Sequence, residues 1–237
     1  MTPMAERLGT IAGIWRYPVK SLGGEALDQV ELTADGLPGD RGWAVYTEAN
    51  RPASGKPTRR FDKVPGLLHL AAELDGGSEP VIVLPDGQRI RAGGAAGALS
   101  AAIGMPLDAR PEGEVPHKDA APVHLVTSAT LAALSSATSA PVEADRFRPN
   151  LLLDTEADGF AEDGWLGHRV AIGGAVLRVT DRTERCVMTN HSRPGLPERR
   201  DVLRTAGRVN DACAGVYLDV ETAGVVTVGD RAELLAD

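Results

Sequence analysis

Short apolar runs separated by Gly and Pro dominate the chain, a rhythm that favours strands over helices. Thr10–Tyr17, Ala26–Thr33 and Gly42–Thr47 read as strands, joined by turn-rich pieces such as Ser21-Leu22-Gly23-Gly24 and Asp35-Gly36-Leu37-Pro38-Gly39-Asp40. Leu67–Leu74 and Val81–Leu84 continue the series, and Pro85-Asp86-Gly87 marks a hairpin turn before Gln88–Arg91. Ala95–Ile103, short and Ala-rich, reads as a helix. The polar, aperiodic stretch from Ala109 to Pro122 predicts a boundary, dividing the chain into 1–115 and 116–237. Beyond it Val123–Val126, Leu151–Asp154, Arg169–Ile172, Ala175–Thr180, Val216–Val220 and Val225–Val228 read as strands, the chain closing through Gly229-Asp230. Two further helices are expected: one opening with Ser128 as N-cap and running through Leu131 and Leu134, and Pro197–Arg208 with Pro near its first turn. The expected class is mainly β, a β-rich α+β protein in two parts with a few short helices.

Composition narrows what such a fold can do. The 237 residues carry 33 acidic and 25 basic side chains, a formal charge of −8, with 4% aromatics. An acidic, aromatic-poor chain is a poor binder of nucleic-acid polymers. Two cysteines cannot build a disulfide framework or a four-thiolate metal site. No apolar run approaches the roughly 20 residues that span a bilayer, so no membrane association is expected. The opening Met1-Thr2-Pro3-Met4-Ala5-Glu6-Arg7 has no apolar signal core, which makes the cytoplasm the expected location.

Candidate chemistry begins at Cys186, which ends the run Arg182-Thr183-Glu184-Arg185-Cys186. A neighbouring Arg favours the thiolate, the form that attacks electrophiles or binds a soft metal; the plainer reading is a small buried hydrophobe. Cys213, between alanines, reads as core packing. His191 lies five residues beyond Cys186 without a cluster around it, so zinc ligation is not expected and a solvated loop histidine is the plainer reading. In Arg146-Phe147-Arg148-Pro149-Asn150 an extended chain would turn both guanidiniums to one side, suited to phosphate or a heterocycle edge. The alternative is an exposed basic edge strand. Tyr17-Pro18-Val19-Lys20-Ser21 and Gly39-Asp40-Arg41-Gly42 set further cations at strand–turn junctions, where such residues are usually solvated.

Together these segments resemble the MOSC family, the molybdenum-cofactor sulfurase C-terminal domain, with the N-terminal β-barrel module that accompanies it in amidoxime-reducing proteins. Tyr17–Ser21 and Gly36–Arg41 are similar to the first module's signatures. Arg146–Asn150, Phe160-Ala161-Glu162-Asp163, Gly167–Val170, Cys186, Val216-Tyr217 and Val225–Asp230 are similar to the second's, in the same order. The resemblance implies a MOSC-type β-barrel packed with a smaller β-rich N-terminal module, and a molybdenum cofactor (molybdopterin) between them. It implies Cys186 as metal ligand and catalytic residue, with Lys20, Ser21, Arg41, Thr127, Ser128, Arg148, Asn150 and Tyr217 holding the cofactor. It also places Arg146 and Arg185 with Lys20, Arg41 and Arg148 around that anion. The implied activity is reduction of small N-hydroxylated compounds (amidoximes, hydroxylamines, N-hydroxy bases) to amines. Electrons would come from a separate ferredoxin- or flavoprotein-type donor, since no cysteine-rich module follows Asp237. The alternatives are a cofactor or sulfur carrier without turnover, and a metal-free thiol transferase. A family-level association with pyridoxal phosphate also attaches to the resemblance. Two segments depart from the family pattern: Thr189-Asn190-His191-Ser192-Arg193-Pro194-Gly195, on the expected substrate side, and Ser54-Gly55-Lys56-Pro57-Thr58-Arg59-Arg60.

Overall fold

The protein is described by a computed structural model covering residues 6–236; Met1–Ala5, where the targeting reading begins, lie outside it. Seven strands close into a barrel. In chain order they are β1 (Glu6–Arg16), β2 (Val123–Thr127), β3 (Leu151–Asp154), β4 (Arg169–Ile172), β5 (Ala175–Glu184), β6 (Cys213–Thr222) and β7 (Arg231–Leu235). Around the wall they run β1-β3-β2-β6-β5-β4-β7 and back to β1. All contacts are antiparallel except β2 with β3, where Leu125 faces Leu151. A parallel pair cannot be joined by a tight hairpin, and the helix Ser128–Thr138 lies in the crossover between them.

Period-two alternation assigns each face of β2. Val123 and Leu125 join Ile11, Ile14, Leu151, Leu153, Leu177 and Val216 in the barrel core. Val126 turns outward and packs with Leu134, Val202 and Ala206 of the two helices that cover this side. The second core, Val19, Leu22, Val45, Leu67, Leu70, Ile82, Leu99 and Leu107, belongs to a flanking module. That module pairs Trp43–Thr47 with Leu107–Pro111, adds the meander Ala71–Glu73, Val81–Val83, Arg89–Arg91, and carries the helix Ala96–Ile103. Each fully buried Leu, Ile or Val contributes about 1.5–3 kcal/mol, so each part holds a core of its own. The first strand of the chain nevertheless belongs to the barrel.

Several expectations shift in the structure. Ala26–Thr33 breaks at Asp28: Glu25–Leu27 pairs with β1, whereas Gln29–Leu32 pairs with Gly224–Thr227. The strand Leu107–Pro111 runs into the stretch read as aperiodic, because Trp43–Thr47 supplies its hydrogen bonds. β7 was not expected, because the charged Arg231 and Glu233 flank and mask Ala232, which is fully buried. Thr127, not Ser128, caps the crossover helix, its hydroxyl accepting from the Thr130 N–H at 3.1 Å. The last helix is Asp201–Val209, so Pro197 precedes it, and its carbonyl accepts from Arg146. Arg146-Phe147-Arg148 is not extended: a 3-10 turn covers Ala144–Arg146 and Arg148 has φ 53°.

Candidate functional site

Between barrel and module lies a cleft of about 390 Å³. Nine basic side chains and two carboxylates line it, reversing locally the acidic balance of the chain.

The module-side wall begins where β1 ends. The buried Tyr17 donates its N–H to Asp40 Oδ1 at 2.8 Å and its hydroxyl to the Pro149 carbonyl at 3.2 Å. Its ring lies 4.8 Å from the Arg41 guanidinium and 4.2 Å from that of Arg148. Aromatic faces attract cations, so Tyr17 holds two guanidiniums that would otherwise repel. Burial raises the Tyr17 phenol and lowers Arg148 to about 10, which leaves both protonated at neutral pH. Arg41 pairs with Asp40, and its carbonyl is 3.2 Å from His117 Nδ1. His117 Nε2 in turn is 3.0 Å from the Tyr46 hydroxyl. Burial lowers the His117 pKa, so the neutral ring donates from Nδ1 and accepts at Nε2. Lys20 Nζ is 2.9 Å from Asp119 Oδ1 and lies over the Phe61 ring; burial lowers its pKa while Asp119 opposes the shift. Ser21 Oγ is 3.3 Å from Ser54 Oγ.

The barrel-side wall comes from β2, β3, β6 and the end of β5. Asn150 accepts from the His124 N–H and donates to the Trp15 carbonyl, stitching β2 to β1. Arg185 donates to the Phe147 carbonyl at 2.6 Å and to His124 Nε2 at 3.2 Å. A guanidinium only donates, so His124 accepts at Nε2 and its proton sits on Nδ1, facing the Arg148 carbonyl. Burial, Arg185 and Arg41 hold the His124 pKa well below the ordinary range. Gly215, at φ 85°, makes room for this ring: a Cβ there would stand 2.7 Å from Nε2 and 2.5 Å from the Leu125 carbonyl. Cys186, half-buried, follows Arg185 and precedes a 3-10 turn whose Thr189 N–H and hydroxyl both reach the Cys186 carbonyl at 3.0 Å. Tyr217 completes the wall beside His124, and burial raises its phenol. Cys213 is buried at the start of β6 and does not line the cleft.

Two observations mark the cleft as built for a ligand. Arg185 Nε and Arg146 Nη2 are buried without a hydrogen-bond partner, and both side chains line it. Buried donors are almost always paired, so these two are free to serve a group in the cleft, although other buried polar atoms away from it, Arg182 Nε and Thr183 Oγ1 among them, also lack hydrogen-bond partners. In addition Ser21, Arg41 and Arg148 are all left-handed, at φ 66°, 55° and 53°. Non-glycine residues resist this region by about 1–2 kcal/mol each, and such strain gathers at binding sites.

Lys20, Ser21, Arg41, Arg148, Asn150, Tyr217, Cys186, Arg146 and Arg185 therefore meet in one place. Thr127 and Ser128 do not. Thr127 is fully buried at the other end of β2, its hydroxyl 2.6 Å from Glu162 Oε2, and Ser128 bonds the Thr155 backbone. Asp119-Ala120-Ala121 lines the cleft in their stead. His124 and the loop from Ser54 to Phe61 also line it without having been singled out as binding residues. For His124 the signal was present: with Val123 and Leu125 inward, a polar residue between them must face outward. Among the described residues no group of three or more His, Cys, Asp or Glu could hold a metal ion, so a metal here would need ligands from a cofactor besides Cys186. Thiol, cations and orphan donors fit an anionic cofactor that brings its own sulfurs.

Fold and cleft define a β-barrel protein with a basic, thiol-bearing pocket on its flank. Residues 112–233 match the MOSC domain and residues 8–91 the MOSC N-terminal beta barrel domain, so the chain belongs to the MOSC family, which is related to the molybdenum cofactor. Mitochondrial amidoxime-reducing component 1 from Homo sapiens is 24% identical over 294 residues, covering 98% of this chain and 85% of the relative. The Mus musculus counterpart is 26% identical, covering 97% and 83%. The crystal structure of the YUAD protein from Bacillus subtilis shares the fold, with a TM-score of 0.54 over 98% of both chains at 15% identity. No helix among the described residues is long and apolar enough to cross a membrane. The association with pyridoxal phosphate finds no support in these comparisons.

Proposed function

We propose that the protein is a molybdenum-cofactor-dependent oxidoreductase that reduces N-hydroxylated compounds to the corresponding amines. The observation that carries this reading is the meeting of one accessible thiol, Cys186, with buried cations that include the partnerless Arg185 Nε and Arg146 Nη2. Lys20, Ser21 and Arg41 from one wall, and Arg148, Asn150 and Tyr217 from the other, would hold the cofactor's phosphate and pterin, with Cys186 on the metal. The bound cofactor supplies two-electron redox chemistry, while the protein positions it and excludes competing reactions. Arg185 precedes Cys186 in the chain, and burial lowers the Arg185 pKa while Tyr217 and Cys186 oppose that shift. His124, locked as the Nδ1–H tautomer, holds Arg185 in place. In the net reaction two electrons and two protons are consumed: the N–O bond breaks, one proton ends on nitrogen, and the other joins the departing hydroxyl, which leaves as water. A separate electron-transfer protein of ferredoxin or flavoprotein type supplies the electrons.

Protein from a molybdenum-replete host is expected to carry about one metal per chain, the single-thiolate stoichiometry of such a site. With an electron donor it should convert benzamidoxime to benzamidine, and Cys186→Ser should abolish turnover. Loaded protein that never turns over but passes its cofactor to an apo-enzyme would replace this reading with that of a carrier. Protein that stays metal-free under replete conditions would remove both.

A further inference from the structure

The loop Gly55–Arg60 closes one side of the cleft beside the segment that follows Cys186. A Cβ added to Gly55 would lie 2.6 Å from Met188 Sδ and 3.5 Å from His191 Cδ2, so this loop and the Cys186 loop are in packing contact. Lys56 and Arg59, one and four residues on, line the cleft together with Met188. Neither side chain has a hydrogen bond or an ion pair among the described residues. This sets them apart from the deeper cations. Lys20 is paired with Asp119, Arg41 with Asp40, and Arg148 donates to the Leu22 carbonyl. Arg60, on the same loop, is tied to the Pro116 and Asp119 carbonyls. The cleft thus has an inner set of anchored cations and an outer pair without hydrogen-bond or ion-pair partners among the described residues, next to the residues after Cys186.

We infer that the substrate carries an anionic group: an N-hydroxylated compound with a carboxylate or phosphate, whose charge is met by Lys56 and Arg59 while its N–O group lies toward Cys186. This deepens the proposed reductase activity and rests on it. Arg59 is exposed and Lys56 half-buried, which leaves room for the charged end of a molecule too large to be enclosed. The Arg59 fork suits a carboxylate or phosphate face and the Lys56 ammonium adds a point charge. Asp119 feels Lys56 from its place on Lys20, so the field of the loop reaches into the cleft.

The test compares benzamidoxime with its 4-carboxy and 4-phosphono derivatives, in the loaded protein and in the Lys56→Gln/Arg59→Gln double variant. Surface ion pairs are each worth roughly threefold, so kcat/KM should be about tenfold higher for the charged substrates, mostly through KM. That preference should fade between low and high salt, as screening requires. The double variant should bring all substrates within about twofold while leaving benzamidoxime turnover unchanged, since only the outer ion pairs are lost. The larger of the carboxylate and phosphonate gains identifies the natural charged group. Calorimetric titration of the same compounds without an electron donor reads the preference independently of turnover. Equal affinity of the wild type for neutral and charged forms, or a preference that survives in the double variant, would overturn the inference. A double variant that changes only the KM for the electron donor would overturn it as well, and make the loop a protein-docking surface. Absence of turnover with every substrate would count against the reductase reading instead.

Discussion

The two ends of β2 both bury polar groups, and they do so to opposite purposes. At the Thr127 end, Glu162 is fully buried, yet its two carboxylate oxygens accept from the Thr127 and Thr130 hydroxyls at 2.6 Å each, and Thr127 also caps the crossover helix. At the His124 end, four residues form a chain of contacts from Tyr217 through His124 and Arg185 to Phe147, and the chain stops at an Arg185 Nε that nothing accepts. A closed network contributes to folding. An open one lowers stability until a ligand completes it. Burial alone does not separate structural from functional polar groups; an unpaired donor counts only where, as at Arg185, it stands on a cleft wall.

The sharpest way to break this comparison is to open the closed end. Thr127→Val removes the helix cap and one donor to a buried carboxylate, and should cost about 3 kcal/mol in urea denaturation. Cofactor content of the folded fraction should not change. Closing the open end comes next: Arg185→Met should leave apo stability within about 1 kcal/mol, since an incompletely satisfied buried charge is lost, but should weaken cofactor retention by tens of fold.

The pH dependence supplies a third contrast, with opposite signs. Burial raises the Glu162 pKa despite its hydroxyl donors, so the native state keeps a proton that the unfolded chain releases, and this group makes stability fall as pH rises above the ordinary carboxyl range. His124 is held neutral, so the unfolded chain gains a proton that the native state refuses, and stability falls as pH drops below the ordinary imidazole value. Glu162→Gln should remove the first dependence and His124→Asn the second, as read from urea midpoints across pH 4.5–8, a window spanning roughly the two ordinary pKa values. The smallest effect concerns strain. Ser139, exposed at the end of the crossover helix with φ 57°, is left-handed as Ser21 is, but far from the cleft. Ser139→Gly should raise stability by about 0.5–1 kcal/mol with no change in binding. Ser21→Gly should relieve similar strain but loosen the binding loop.

Much of this was readable from the residues, for reasons that also explain the failures. The apolar strands β2, β3 and β4 appear in the sequence because each carries a run that can only be buried. β7 does not, because Arg231 and Glu233 dilute a strand whose inward Ala232 is small. Lys20, Arg41, Arg148 and Cys186 were identifiable by the resemblance of their neighbourhoods. Thr127 and Ser128 were placed in the cleft on the strength of a helix N-terminus. A strand advances about 3.3 Å per residue, so Thr127 sits roughly 10 Å from His124, at the far end of β2. Arg146–Arg148 was misread as extended because its shape is set by distant partners: the Leu22 carbonyl for one guanidinium and the Pro197 carbonyl for the other. Local pattern cannot report bonds spanning 126 and 51 residues.

The place of β1 in the barrel bears on how the gene can be dissected. Cutting at the Ala109–Pro122 segment would deliver a fragment with six staves of a seven-stave cylinder, exposing the hydrogen-bonding edges of β3 and β7 to each other across a gap or to neighbouring molecules. A fragment meant to fold alone must carry residues 6–16 with it, whether fused ahead of residue 116 or transposed behind β7. Shuffling the two modules between relatives therefore exchanges the stretch after Arg16, not everything before residue 116.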